Sequence, residues 1–324
     1  MKLATFRSEP GGGGGADRLG FLVGDRILDP LAALGRTASA AQAQMFADAI
    51  AFVASGAEGL VAARDVIAAA PAAAWRMIGD VHLRSPMRPS TILCAGSNYR
   101  AHNREKADSP TSGKEPEFFV KTADCLVDPD GDIVHDPRLT HKLDCETELA
   151  IVIGKPGRHI PVERALDHVF GYTIVNDGTA RDRQVRRTKE GVVWYDLGRA
   201  KAFDTSAPLG PCIVTADEIG DPQRLDLETR INGELRQSAN TADMIWSCAQ
   251  LIAVFSINFT LKPGMVIITG TPAGTAWSAD AELGGRFEPR PGLVAATRYC
   301  EPGDVVESRI EGIGVLRNRV VAAV

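Results

Sequence analysis

A strand-rich α+β fold is the class this sequence predicts, with a mixed β roll or barrel-like core and a small α+β N-terminal domain. Three observations predict it. Beyond residue 86 the chain alternates short apolar or period-two runs with Gly, Pro and Asn turn signals. Few helical stretches separate those runs, which argues against a doubly wound parallel sheet. Residues 38–74 are Ala-rich and helix-forming, and the Pro-rich "RSPMRPS" (84–90) separates them from the strand-rich remainder of the chain. The expected division is therefore 1–85 and 86–324.

In chain order, "RLGFLVGDRILDP" alternates around Gly24-Asp25 and reads as a hairpin. The Gly11–Gly15 run reads as a loop. It precedes no Lys-Ser/Thr, so it is not a phosphate-binding loop. "TILCAGSNY" (91–99) has the composition of a buried strand, and "DPDGDIVH" contains a turn. "RAHNREKADSPTSGKEPE" (100–117) is polar and broken by Pro and Gly: a solvated loop, or a lid. "DLETRINGELRQ" is a hairpin with Asn232-Gly233 at the turn. A helix is expected from about Asp243, then the buried strand and Gly-rich turn of "GMVIITGTPAG".

Composition narrows the function classes. The 324 residues are 44% hydrophobic and 24% charged, with net charge −5. That balance offers no basic footprint for nucleic acid or an anionic membrane. The six cysteines are scattered without a C-x-x-C pair, which fits neither a zinc knuckle nor a disulfide framework and suits a reducing cytoplasm. The N-terminal "MKLATFRSEPGGGGG" shows no apolar signal-peptide core. Met244–Leu261 is uncharged over 18 residues, but Ser247, Gln250, Ser256 and Asn258 interrupt it, and Ile245, Ala249, Ile252 and Phe255 keep helical spacing. A buried helix is expected there, not a membrane span.

The segment most informative about chemistry is "LDCETELAIVIG" (143–154). Residues two apart on a strand share a face at about 6.6 Å, so Asp144, Glu146 and Glu148 line one side of an otherwise apolar strand. A solvated strand entrance would account for them. So would a buried site that holds positive charge. In "GYTIVNDGTARDRQ" (171–184) a strand breaks at Asn176-Asp177-Gly178, leaving Asp177 at a strand end. If Asp177 meets Glu146 and Glu148, a divalent cation keeps all three ionised, and oxygen-only ligation selects Mg²⁺, Mn²⁺ or Ca²⁺. His135 and His141 raise a His/carboxylate alternative, but His141 has the wrong parity to share the acids' face.

Seven ordered motifs then carry a resemblance. They are "GSNYRAHNRE", "FVK" (119–121), "DCETELAIVIG", "GYTIVNDGTARD", "RAKAFDTSAPLGP", "NGELRQSANTADMIW" and "TGTPAG". The chain resembles the fumarylacetoacetate hydrolase family, from about Pro89 to Gly274. The resemblance implies Glu146, Glu148 and Asp177 as metal ligands and His102 with Glu105 as a catalytic pair on a lid. It also implies Lys201 and Gln184 as catalytic donors, and Arg181, Lys121 and Thr271 as substrate contacts. Asp144 is then not a ligand. Two departures stand out: Ser97 where the family often has Arg, and Cys145 where it often has an aromatic residue. The Trp and Tyr of "VVWYDLG" are open between pocket wall and packing.

These residue types suit cleavage of a C–C bond in an acylpyruvate-like β-diketo acid. A metal stabilises the enolate, His102 activates water with Glu105 orienting it, and Lys201 and Gln184 stabilise the alkoxide. The implied protein is a cytoplasmic Mg²⁺- or Mn²⁺-dependent hydrolase of keto acids, active in breakdown of aromatic or sugar-derived compounds. It is expected to be homodimeric, with no nucleic-acid or membrane partner. The same chemistry supports enol–keto isomerisation, decarboxylation or lyase activity. A non-catalytic metal-containing binding protein is the reading from another class.

Overall fold

The apolar run that continues the acidic segment becomes a strand with both faces covered. In the computed structural model, which describes residues 1–8, 15–106 and 114–324, this strand lies within a twelve-stranded mixed sheet. The first half of the chain contains β1 (Lys2–Arg7), β2 (Arg18–Val23), α1 (Ala49–Ala69), β3 (Ile92–Gly96), α2 (Arg100–Arg104), β4 (Glu117–Lys121), β5 (Leu143–Asp144) and β6 (Thr147–Ile153). The second contains β7 (Val169–Asn176), α3 (Arg181–Gln184), α4 (Leu197–Lys201), β8 (Ala207–Thr215), β9 (Asp226–Ile231) and β10 (Glu234–Asn240). It closes with α5 (Cys248–Asn258), β11 (Val266–Ile268), β12 (Val305–Ile310) and β13 (Gly314–Ala322).

The main path of the large sheet runs Trp75–Met77, Arg26–Leu28, β2, β1, β8, β7, β6, β11, β3, β4. Within it β3 and β11 are parallel, while β6 is antiparallel to both its neighbours. The path is open at both ends. A five-stranded sheet in the order β10, β9, β12, β13, Asp132–His135 packs on it, so the fold takes the roll form of the expected mixed core. The pairing of β1 with β8 (Leu3 opposite Ile213) makes the sheet continuous across residue 85. The N-terminal strands are thus extra strands of the central sheet.

All seven residues of β6 are buried. Leu149, Ile151 and Ile153 join one core with Leu251, Ile252 and Phe255 of α5 and Leu227, Ile310 and Leu316 of the smaller sheet. Ala150 and Val152 face the other core, with Phe52 and Val53 of α1. This two-sided cover explains why the strand reads as an unbroken apolar run rather than an alternating one. Each large apolar side chain so buried contributes about 1.5–3 kcal/mol.

The expected hairpin at Asn232-Gly233 is present, with φ of 53° and 82° at the two turn residues. The helix expected from about Asp243 begins at Cys248 instead, capped by Ser247 and Gln250. Residues 245–246 are held outside it by Asn98: Ile245 N donates to its backbone oxygen and Trp246 N to its Oδ1, each at 2.7 Å. Among the described residues no helix is long and apolar enough to cross a membrane. Most of the Gly11–Gly15 run and residues 107–113 of the expected lid lie outside the described residues.

Candidate active site

The acidic segment does not form one uninterrupted strand. Pairing breaks at Cys145-Glu146, between β5 and β6, and Asp144, Glu146 and Glu148 are all buried. β7 ends beside this break. Asn176 Oδ1 accepts from Glu146 N at 2.9 Å, and Asp177 N donates to the Glu146 carbonyl at 2.8 Å. These bonds tie the end of one strand to the gap in the next. They bring one carboxylate oxygen of each of Glu146, Glu148 and Asp177 within 4.8 Å of the others.

Counter-charge comes from three sides. Arg181, fully buried on α3, spans Asp144 (Nε to Oδ2, 2.8 Å) and Glu146, and also donates to Gln184 Oε1 at 2.9 Å. Lys201, at the end of α4, bonds both Glu146 and Asp177 (2.6 Å to the latter). Lys121 of β4 reaches Asp177 Oδ1 at 2.9 Å and donates to Ser206 O, also at 2.9 Å. The Gly270 amide donates to Glu148 at 2.6 Å. Gly270 has φ of 90°, and a Cβ there would stand 2.8 Å from the Asn98 Cβ. Only glycine fits that approach.

Burial pushes the Glu146 carboxyl up, but Arg181 and Lys201 outweigh it and hold the group well below the usual range. Glu148 is driven well above, by burial and then by the like charges of Asp177 and Glu146. Three clustered carboxylates with one forced towards its neutral form are a fitting donor set for a hard divalent cation, which removes that repulsion.

The dyad sits across the cavity. His102 of α2 meets Glu105 through Nδ1 at 3.1 Å, and its Nε2 lies 4.0 Å from Glu146 Oε1. Glu105 Oε1 accepts from Gly274 N at 2.7 Å, which anchors the dyad to the Gly-rich turn after β11. Burial, then the charge of Lys106, lowers the His102 pKa well below its ordinary value, so the ring is neutral. Burial raises Glu105 to about 8, partly offset by the Gly274 amide.

A narrow cavity lies between these groups, lined also by Ser97, Lys106, Glu117, Phe119 and Tyr195. His102, Glu146, Glu148, Asp177, Arg181, Gln184, Lys201 and Thr271 all reach its wall. All three expected substrate contacts are otherwise engaged. Lys121 is fully buried behind Asp177 and does not line the cavity. The Thr271 hydroxyl donates to Thr147 O (3.1 Å) and accepts from Gln237 (2.9 Å). Arg181 likewise spends its guanidinium on Asp144, Glu146 and Gln184, and stacks 5.1 Å from the Trp277 ring centroid. The Gln184 side-chain oxygen accepts from Arg181, and the residue lines the cavity.

Sequence reasoning left out Asn98, Gln237 and Lys106. Asn98 and Gln237 are buried amides that bond on both ends, and no periodicity singles them out. Lys106 comes directly after Glu105 but belongs to no motif. The Asp144–Arg181 pair had a signal, because Asp144 shares parity with the two glutamates. His141 is exposed and away from the trio, so the His/carboxylate alternative has no support.

Comparison with known proteins agrees with this geometry. The family model described as fumarylacetoacetate (FAA) hydrolase, C-terminal, matches residues 91–321. The chain is 41% identical over 246 residues to the oxaloacetate tautomerase YisK of Bacillus subtilis, covering 75% of this chain and 74% of the relative. It is 42% identical over 234 residues to the human mitochondrial oxaloacetate tautomerase FAHD2A, covering 72% and 67%. Among solved structures, maleylpyruvate hydrolase from Sphingobium sp. SYK-6, in complex with manganese(II) and pyruvate, aligns over the whole of both chains. Its TM-score is 0.72 at 28% identity. By this match and its catalytic-domain motifs, the chain belongs to the fumarylacetoacetate hydrolase family.

Proposed function

We propose that this protein is a divalent-metal-dependent enol–keto tautomerase of a 2-oxo acid of the oxaloacetate type. The observation that carries the reading is the buried His102, held through Nδ1 by Glu105 at 3.1 Å and with Nε2 4.0 Å from Glu146 Oε1 across the cavity. Such a group can take a proton from one atom of a bound substrate and return one to another. The two oxaloacetate tautomerases at 41–42% identity support the choice of reaction over the hydrolysis that the motifs alone imply.

Glu146, Glu148 and Asp177 are the residues to hold Mg²⁺ or Mn²⁺. When bound, the cation supplies positive charge to the carboxylate and 2-oxo oxygens and so favours the enolate. The protein's own groups do the rest. His102 Nε2 moves the proton at C3, with Nδ1 fixed by Glu105. Lys201, whose pKa is raised because Asp177 and Glu146 outweigh its burial, stays an ammonium that offsets charge at the trio. The Gln184 amide donates to an oxygen on which charge develops, and burial of the site keeps water from competing. The proton removed from the enol oxygen and the proton added at C3 balance, and no carbon–carbon bond breaks.

The test is the decay of enol-oxaloacetate absorbance with Mg²⁺-loaded protein. Wild type should accelerate it and His102→Ala should lose about 10²–10⁴-fold. An unchanged rate in His102→Ala refutes the assignment. A second reading, hydrolysis of an acylpyruvate, draws on the likeness to maleylpyruvate hydrolase. It predicts release of a carboxylic acid in step with loss of absorbance.

A further inference from the structure

Four cationic side chains are buried at or behind the carboxylate trio. Three are answered by carboxylates: Lys121 by Asp177, Arg181 by Asp144 and Glu146, and Lys201 by Glu146 and Asp177. The fourth is Lys106. It is 7% exposed and lines the cavity, and among the described residues no carboxylate oxygen, that of Glu117 included, lies within 4.0 Å of its Nζ. Its contacts are the Ser97 Oγ at 3.1 Å and the face of Trp277, 5.5 Å from the centroid. Both Glu146 oxygens are already taken by Arg181 and Lys201.

Burying an ammonium on one neutral hydroxyl is costly unless an anion joins it. Ser97 accepts one of its three N–H bonds, which leaves two for a ligand. Ser97 itself is held at φ of 55°, a region non-glycine residues seldom adopt, and its carbonyl is pinned by Asn103 Nδ2 at 2.8 Å. Strain of this kind persists where surrounding bonds over-determine it, as they do here. Lys106 is fixed in turn by pairing with Gly285 and by its N–H to Asn103 O. The ammonium and its hydroxyl partner are thus built in place on the cavity wall.

Resting on the tautomerase reading, we infer that Lys106 and Ser97 bind the distal carboxylate of a 2-oxo dicarboxylic acid whose 2-oxo acid end faces Glu146, Glu148 and Asp177. The cavity then has two anion-accepting ends of different kinds. One needs a divalent cation, and the other is a single lysine that burial depresses to about 7 and that a bound carboxylate restores to full charge. A 2-oxo acid with a neutral tail leaves the ammonium unpaired. The site therefore selects dicarboxylates over monocarboxylates.

Isothermal titration of the Mg²⁺-loaded full chain with oxaloacetate and with pyruvate tests this. Lys106→Met should weaken oxaloacetate about 10- to 100-fold, the value of a charge-assisted bond, and leave pyruvate nearly unchanged. Lys106→Arg should restore most of the loss. Equal weakening of both ligands, or unaltered oxaloacetate binding, overturns the inference. If Lys106→Met does not fold, Lys106→Gln, a neutral donor of similar length, is read by the same criterion. Enol decay is measured on the same samples. Binding through Lys106 without accelerated decay sinks the tautomerase reading and leaves the carboxylate subsite standing.

Discussion

Replacing Arg181 by Met distinguishes a structural counter-charge from a substrate contact. The guanidinium is fully buried, and it pairs with two buried carboxylates, Asp144 and Glu146. Its removal leaves Asp144 with only backbone donors, among them Ala276 and Trp277 at 3.1 and 3.2 Å. Breaking a buried pair in this way costs about 3–5 kcal/mol. At about 2.1 cal/mol/K per residue the 324-residue chain shifts by about 1.5 °C per kcal/mol, so metal-free Arg181→Met should melt roughly 4–8 °C below wild type. The assay is calorimetric unfolding of chelator-treated protein. Adding Asp144→Asn removes one orphaned charge and should recover at least about 1 kcal/mol, a coupling expected of contacting residues. An unshifted melting temperature with a raised KM would refute this account and return Arg181 to the substrate-contact role implied by the motifs.

Other contacts make equally definite demands. Glu148→Gln and Asp177→Asn should each abolish stoichiometric Mn²⁺ binding, measured by calorimetry, while Asp144→Asn should retain it. Glu105 is raised to about 8, so between its ordinary pKa and that value the folded state holds a proton the unfolded state has lost. Stability from this group is therefore full at low pH and declines as pH rises towards 8. Melting curves of Glu105→Gln should lose that part of the slope, and a slope identical to wild type would contradict the burial argument. Gly270→Ala should destabilise by about 1–3 kcal/mol through its left-handed φ and the Asn98 contact, read from the denaturation midpoint. All six cysteines are buried, and burial lifts Cys248 to about 12. Ellman's reagent should therefore titrate no thiol before unfolding.

Much of the metal-site geometry was legible because it rests on parity and strand ends. Glu146 and Glu148 lie two apart, and Asp177 comes after an apolar strand that breaks at Asn-Asp-Gly. Both signals are local in sequence. The break of pairing at Cys145-Glu146 was not legible, since it depends on Asn176 and on the Asp177 amide reaching across from another strand. The start of α5 was misplaced for a similar reason. Met244 to Trp246 has helical composition, but Asn98, 148 residues away from Trp246, binds its backbone, and Met244 bridges to Tyr99. The continuity of the N-terminal strands with the central sheet arises from the β1–β8 pairing, Leu3 opposite Ile213, a contact between distant parts of the chain that no local pattern encodes. Roles of individual basic residues were hardest to assign. Lys121, Lys201 and Arg181 all neutralise acids, and only their positions separate those that reach the cavity from the one that lies behind it.

The central claim is that the trio and the His102–Glu105 dyad move a proton without cutting carbon. It is tested most directly by recording enol absorbance, carboxylic-acid release and CO₂ together on one Mg²⁺-loaded sample given oxaloacetate and a panel of acylpyruvates. The account predicts rapid loss of the oxaloacetate enol with neither acid nor CO₂, abolished by chelation and by Glu148→Gln. Acid released from an acylpyruvate in step with absorbance, and no acceleration with oxaloacetate, would contradict it and make the protein a C–C hydrolase.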